Sequence, residues 1–152
     1  MPHLDLADNK IKNVRAVVWK VENGKKFFLI TQELAGNFTI PGGCKDLEDS
    51  DLLSAMKREL REELGLSERS YTIERLPAGR EYPNLYNNPE SERFGKNTIM
   101  YLFVVNYNGS EDIKVKADEI KGATWLNEDD AMRKLTHIPM KEMFQIAVQH
   151  IA

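Results

Sequence analysis

Apolar and polar positions along the chain alternate and regroup in a way that marks a set of strands around one strongly amphipathic helix. Asn13–Lys20 and Lys25–Gln32 are rich in Val, Trp, Phe, Leu and Ile and flank Glu22-Asn23-Gly24, which predicts two adjacent strands joined by a tight turn. Phe38-Thr39-Ile40 predicts a short extended piece leading into the turn Pro41-Gly42-Gly43. Leu53, Met56, Leu60 and Leu64 recur at three- and four-residue spacings, the apolar stripe of a helix that Ser50 or Asp51 caps and Gly65 ends. Tyr71–Leu76 alternates as a strand, whereas Pro77 to Gly95 carries three prolines and predicts a long irregular excursion. In Asn97–Tyr107, Ile99, Tyr101, Phe103 and Val105 lie on one side and Met100, Leu102 and Val104 on the other, the pattern of a strand buried on both faces. Ile113–Val115 and Ala123–Leu126 are weaker strand candidates. Asn127 caps a helix to about Leu135, and Pro139 opens a last helix to about Ile151. Residues 1–10 have little periodicity and read as a loosely ordered lead-in to a single domain.

The polar face of the first helix does not fit an ordinary surface helix. At 100° per residue Glu63 lies about 40° and Glu62 about 60° from Glu59, so three carboxylates share one face within a turn. Like charges at this spacing cost roughly 0.2–0.5 kcal/mol per pair. Glu62 and Glu63 also occupy the last turn, where the helix dipole favours cations. One reading is a solvated Glu/Arg face partly neutralised by Lys57, Arg58 and Arg61. The other is an all-oxygen site for Mg²⁺ or Mn²⁺, with the tight Pro41-Gly42-Gly43 turn bringing bare carbonyls toward the acids.

Gly43 to Leu66 resembles the signature box of the Nudix hydrolases, G-x5-E-x7-R-E-U-x-E-E-x-G-U, where U is a bulky aliphatic residue. Arg58-Glu59-Leu60-Arg61-Glu62-Glu63-Leu64-Gly65-Leu66 fits at every specified position. The first half departs from it: Asp49 stands where Glu is expected, and eight residues rather than seven separate it from Arg58, as if the loop Cys44–Ser50 held one extra residue. The resemblance implies an α/β/α sandwich with a mixed β-sheet and Mg²⁺-dependent hydrolysis of a phosphoric anhydride (Mn²⁺ is a possible substitute). It also implies a metal site of Gly43, Glu59, Glu62 and Glu63, with Arg58 orienting the glutamates.

Beyond the box, Lys96-Asn97-Thr98-Ile99-Met100-Tyr101, Asp118-Glu119, Ala123-Thr124-Trp125-Leu126 and Met140-Lys141-Glu142-Met143 are similar to the animal-type asymmetrical bis(5′-nucleosyl)-tetraphosphatases. That similarity implies diadenosine tetraphosphate (Ap4A) cleaved to ATP and AMP, Glu119 near the metals, Tyr101 against an adenine and Lys96 on the polyphosphate. Tyr101 as a buried strand aromatic is the alternative. The hydrolysis that the resemblance implies has a box glutamate or Glu119 as the group that takes the proton from water. In the excursion, Arg80, Tyr82, Tyr86, Arg93 and Phe94 are candidates to clamp phosphates or stack on a base. Two other functions stay open: pyrophosphate removal from a modified nucleoside triphosphate, a nucleotide sugar or an RNA 5′ end, and a catalytically silent nucleotide-binding module.

Composition narrows the setting. A net charge of −3 offers no broad attraction to nucleic acid, so the expected partner is a small nucleoside polyphosphate met locally by metal and a few cations. The lone Cys44 cannot form an internal disulfide and fits a reducing cytoplasm. No run of about 18 apolar residues is present, so no membrane span is expected.

Overall fold

The computed structural model describes residues 3–83, 85, 86 and 88–151, with only the backbone of Ala78. Its elements run β1 (Lys10–Glu22), β2 (Lys25–Glu33), β3 (Phe38–Thr39), β4 (Gly42–Cys44), α1 (Leu52–Leu64), β5 (Tyr71–Tyr82), β6 (Asn97–Tyr107), β7 (Ile120–Leu126), α2 (Glu128–Lys134) and α3 (Ile138–Ile151). The sheet is mixed, as expected. Its order is β3-β2-β1-β6-β5, with β7 also on β2 and β4 on β1. β1 and β6 are parallel from Lys10↔Asn97 to Trp19↔Asn106, and the other pairs are antiparallel.

Period-two alternation sorts the strand side chains into two cores and so sets the α/β/α layering. Val17, Met100, Leu102 and Val104 pack toward α2 and α3 with Phe144 and Ala147. Val14, Ala16, Val18, Phe103 and Val105 pack toward α1 with Met56, Leu60 and Leu64. One edge of β1 is shared: Asn13–Arg15 pair with β4, and Trp19–Glu22 pair with β2. The strands part at this fork, where the Ala16 N–H donates to the Pro41 carbonyl (2.9 Å).

Four expectations are corrected. Residues 3–9 of the lead-in are tied down, by a bridge between Leu4 and Asp46 and by backbone bonds to Lys45 and Leu47 (residues 1 and 2 lie outside the described residues). β5 continues to Tyr82 because the pairing shifts between Arg75 and Gly79, and this bulge takes Pro77 out of the ladder. The excursion after it is therefore shorter, and its residues 84 and 87 lie outside the described residues. Ile113–Val115 is no strand; the N–H groups of Lys114 and Lys116 donate instead to the Leu64 and Glu63 carbonyls at the end of α1 (2.9 and 3.1 Å). On α1, Ala55 is buried, whereas Leu53 is 37% exposed and lies off the packed stripe.

Candidate active site

α1 begins where the Asp51 carboxylate accepts the Ser54 N–H (2.7 Å), and it ends at Gly65 in the left-handed conformation. Between these caps the stripe facing the sheet rotates Glu59 and Glu63 toward β4. The two residues are only 8% and 9% exposed.

Glycine at positions 42 and 43 makes this approach possible. A Cβ on Gly42 would lie 2.0 Å from the Val14 carbonyl oxygen, and one on Gly43 2.4 Å from Glu59 Oε1. The Gly42 N–H donates to Glu63 Oε1 at 3.0 Å. The Glu59 carboxylate therefore occupies the space that a side chain at 43 would fill.

Arg58 binds most of the surrounding oxygens. Its Nε and Nη2 clasp both oxygens of Asp49 (2.9 Å each), and Nη2 also donates to the Cys44 carbonyl (3.0 Å) and lies 3.3 Å from Asp46. Nη1 donates to Glu59 Oε1 and to Glu62 Oε2, both at 3.1 Å. The extra residue in the Cys44–Ser50 loop thus leaves Asp49 in contact with Arg58, in the bidentate geometry that suits a guanidinium.

Burial dominates the electrostatics. It pushes the Glu59 carboxyl up to about 7 against the opposing charge of Arg58. It pushes Glu63 up to about 8, with the neighbouring Glu59 charge adding to the shift. Arg15, which the sequence reading did not single out, lies near enough to lower both acids. At the β1 fork it donates to Asn13 Oδ1 (2.8 Å) and the Ile40 carbonyl (2.9 Å).

Among the described residues no three His, Cys, Asp or Glu side chains close on a common point at ion-holding distances. Glu59 and Glu62 are instead drawn to Arg58. The donor set nonetheless has the chemistry for a hard divalent cation: buried carboxylates whose ionisation is costly, beside a backbone with no Cβ in the way. Glu119 is exposed in the turn before β7, and its charge further raises Glu63.

The expected substrate contacts fall on both faces of the sheet. On the α3 face a cavity of about 240 Å³ is lined by Arg15, Thr39, Tyr86, Met100, His137 and Met140. Arg93 lies over the Tyr86 ring at 5.3 Å. Arg80 and Tyr82 meet at Glu142 of α3, where Arg80 forms an ion pair and the Tyr82 hydroxyl is 3.5 Å away. On the α1 face Tyr101 lines a hollow of about 390 Å³ with Lys12, Lys45, Leu52, Leu53 and Arg75, and the Arg75 guanidinium sits 5.0 Å over its ring. Tyr101 is thus half-buried, with one end open to a cavity. Lys96 reaches Asn9 Oδ1 at 2.8 Å. Phe94 is exposed.

Comparison with known proteins places this geometry. The family model described as the NUDIX domain matches residues 11–145. The fold is similar to an Ap4A hydrolase of C. elegans in a binary complex, at TM-score 0.75 and 20% identity over 93% of this chain and 97% of that one. It is also similar to the NUDIX domain of Shewanella oneidensis NrtR complexed with ADP ribose (TM-score 0.73, 16% identity, 94% and 89% covered). A third likeness is to the E. coli dihydroneopterin triphosphate pyrophosphohydrolase (TM-score 0.71, 13% identity, 95% and 96% covered). No curated protein matches the sequence. The match over most of its length, together with the box helix set against Gly42-Gly43, makes the chain a member of the NUDIX family, a hydrolase acting on pyrophosphate bonds.

Proposed function

We propose that this Nudix hydrolase, which acts on nucleoside diphosphate derivatives, takes a dinucleoside tetraphosphate such as Ap4A and releases ATP and AMP. The observation that carries this reading is the pair of hollows on opposite faces of the sheet, each offering a tyrosine capped by an arginine: Tyr86 with Arg93, and Tyr101 with Arg75. A substrate with a nucleoside at each end has use for two stacking surfaces, and the arginines are placed to meet phosphate as well. The fold-level likeness to the C. elegans Ap4A hydrolase supports the same choice.

Mg²⁺ held by Glu59, Glu62, Glu63 and the Gly43 carbonyl would neutralise phosphate charge and lower the pKa of water for in-line attack at phosphorus. The chain's own residues contribute the rest. Arg58 fixes Glu59 and Glu62 against the Cys44 carbonyl. Burial makes the ionised forms of Glu59 and Glu63 costly until a cation neutralises them, and a member of the box glutamate cluster or Glu119 takes the proton from water. Arg15 supplies positive charge beside them for a bridging phosphate. Lys96, held by Asn9, and Arg80 and Tyr82, held by Glu142, would have to exchange those partners to meet substrate. A reducing cytoplasm suits the free Cys44.

A Mg²⁺-dependent hydrolysis panel tests the proposal, with Ap4A, modified nucleoside triphosphates, nucleotide sugars and capped RNA followed by product chromatography. ATP plus AMP from Ap4A should form well above every other rate. Faster turnover of a single-nucleoside substrate would overturn the assignment, and wild-type protein silent across the panel would make the chain a binding module.

A further inference from the structure

Residues 3–9, a strap ahead of β1, form no hydrogen bond or ion pair with the three box glutamates among the described residues, yet they are bonded to the loop that leads to them. One Asp5 oxygen accepts from Lys45 Nζ at 2.8 Å and the other from Lys12 Nζ at 3.3 Å. All three side chains are only 13–14% exposed. The hydrogen bond from Lys45 holds the Asp5 carboxyl well below the usual carboxylate range. The Asp5 N–H donates to the Lys45 carbonyl (3.1 Å), the Leu47 N–H to the His3 carbonyl (2.6 Å), and the His3 N–H to Glu48 (3.1 Å). The strap therefore grips residues 45–48 through both backbone and side chains.

That stretch belongs to the loop with the extra residue. Within it the Asp46 N–H donates to Asp49 Oδ2 (2.9 Å), and Asp46 and Asp49 together hold Arg58. Arg58 in turn holds Glu59 and Glu62. An ion triad that ties three separate segments of chain together is more than a solvated lead-in needs. A lengthened loop that must still deliver two carboxylates to one guanidinium gives it a reason.

Resting on the metal site proposed above, we infer that Asp5 is a positioning residue. Through Lys45 it locks the lengthened loop in the arrangement that lets Asp46 and Asp49 hold Arg58, and so sets the affinity of the box glutamates for a divalent cation.

The test is a Mg²⁺ titration of metal-free protein read by protection against thermal unfolding, without substrate. Asp5→Asn should raise the Mg²⁺ concentration for half-maximal protection about three- to tenfold, below the 10–100-fold of direct outer-shell partners because it acts at one remove. Lys45→Met should give the same shift from the other side of the pair, and Asp5→Glu should recover most of it. In an Asp49→Asn background, Asp5→Asn should add clearly less, since one of the two carboxylates it acts through is already lost. An unchanged midpoint in Asp5→Asn or Lys45→Met overturns the inference, as does a shift that persists undiminished beside Asp49→Asn. Wild-type protein without Mg²⁺ protection removes the metal site and this role with it, whereas the substrate panel can fail without altering the titration.

Discussion

Glu63→Gln should make the metal-free protein more stable while abolishing its response to Mg²⁺. Burial, with the neighbouring Glu59 charge, pushes the Glu63 carboxyl up to about 8 in the folded chain, against an ordinary value of 4.5. Between these values the folded protein keeps a proton that the unfolded chain has released, so wild-type stability falls as pH rises through this window. At ~1.4 kcal/mol per pH unit, the ionised carboxylate costs about 3–5 kcal/mol above pH 8. Glutamine keeps an acceptor for the Gly42 N–H and never ionises, but its amide hydrogens need partners, at a cost of about 1 kcal/mol. The variant should therefore exceed wild type by about 2–4 kcal/mol at pH 8.5 and lose that advantage near pH 5. Urea unfolding at both pH values in chelator measures this. Saturating Mg²⁺ should then restore about 2.7 kcal/mol to wild type at a hundred times its dissociation constant and nothing to the variant. A variant less stable than wild type at both pH values, or a difference that ignores pH, would refute the reasoning.

Three further outcomes follow from the same geometry. Arg58→Lys should not rescue function, because an ammonium cannot clasp Asp49 with two parallel bonds while also reaching Glu59, Glu62 and the Cys44 carbonyl; kcat should fall at least about tenfold, with stability down by about 2–3 kcal/mol on urea unfolding. Gly43→Ala should displace Glu59, which lies where the new methyl must go, and the Mg²⁺ concentration for half-maximal turnover should rise at least about tenfold. Tyr86→Leu and Tyr101→Leu should each raise KM for Ap4A by about five- to 150-fold, the equivalent of losing ~1–3 kcal/mol of base stacking, with kcat less affected; an unchanged KM would remove that tyrosine from the substrate site.

Local physics made much of the fold legible. α1 was visible because its caps and apolar stripe act within its own length, and β6 because both its faces are apolar. Two elements were hidden because the deciding partner is remote in sequence. Pro77 reads as a strand breaker until β6 is alongside to form the bulge that accommodates it. Ile113–Val115 has the alternation of a strand, but the bonds at Lys114 and Lys116 go to the last carbonyls of α1. β4, with two glycines in three residues, has no strand propensity of its own and forms against β1. Arg15 was overlooked for a related reason: its position beside the acids depends on the fork in β1, which no short-range pattern records.

The candidate site was legible as a contradiction. Acids at the C-terminal end of α1 oppose the helix dipole, and burial makes them costlier than the sequence implies. The fold relieves only the backbone side of this conflict, by giving the Leu64 and Glu63 carbonyls N–H donors from Lys114 and Lys116. For the side chains, Arg58 spreads one positive charge over Asp46, Asp49, Glu59 and Glu62, while Glu63 has the Gly42 N–H and the nearby, unbonded charge of Arg15. A chain selected for stability alone would place a neutral residue at 63, where glutamine would keep the Gly42 bond. A carboxylate there is explained if its charge is used by something outside the chain, and a divalent cation carrying a polyphosphate would meet that requirement.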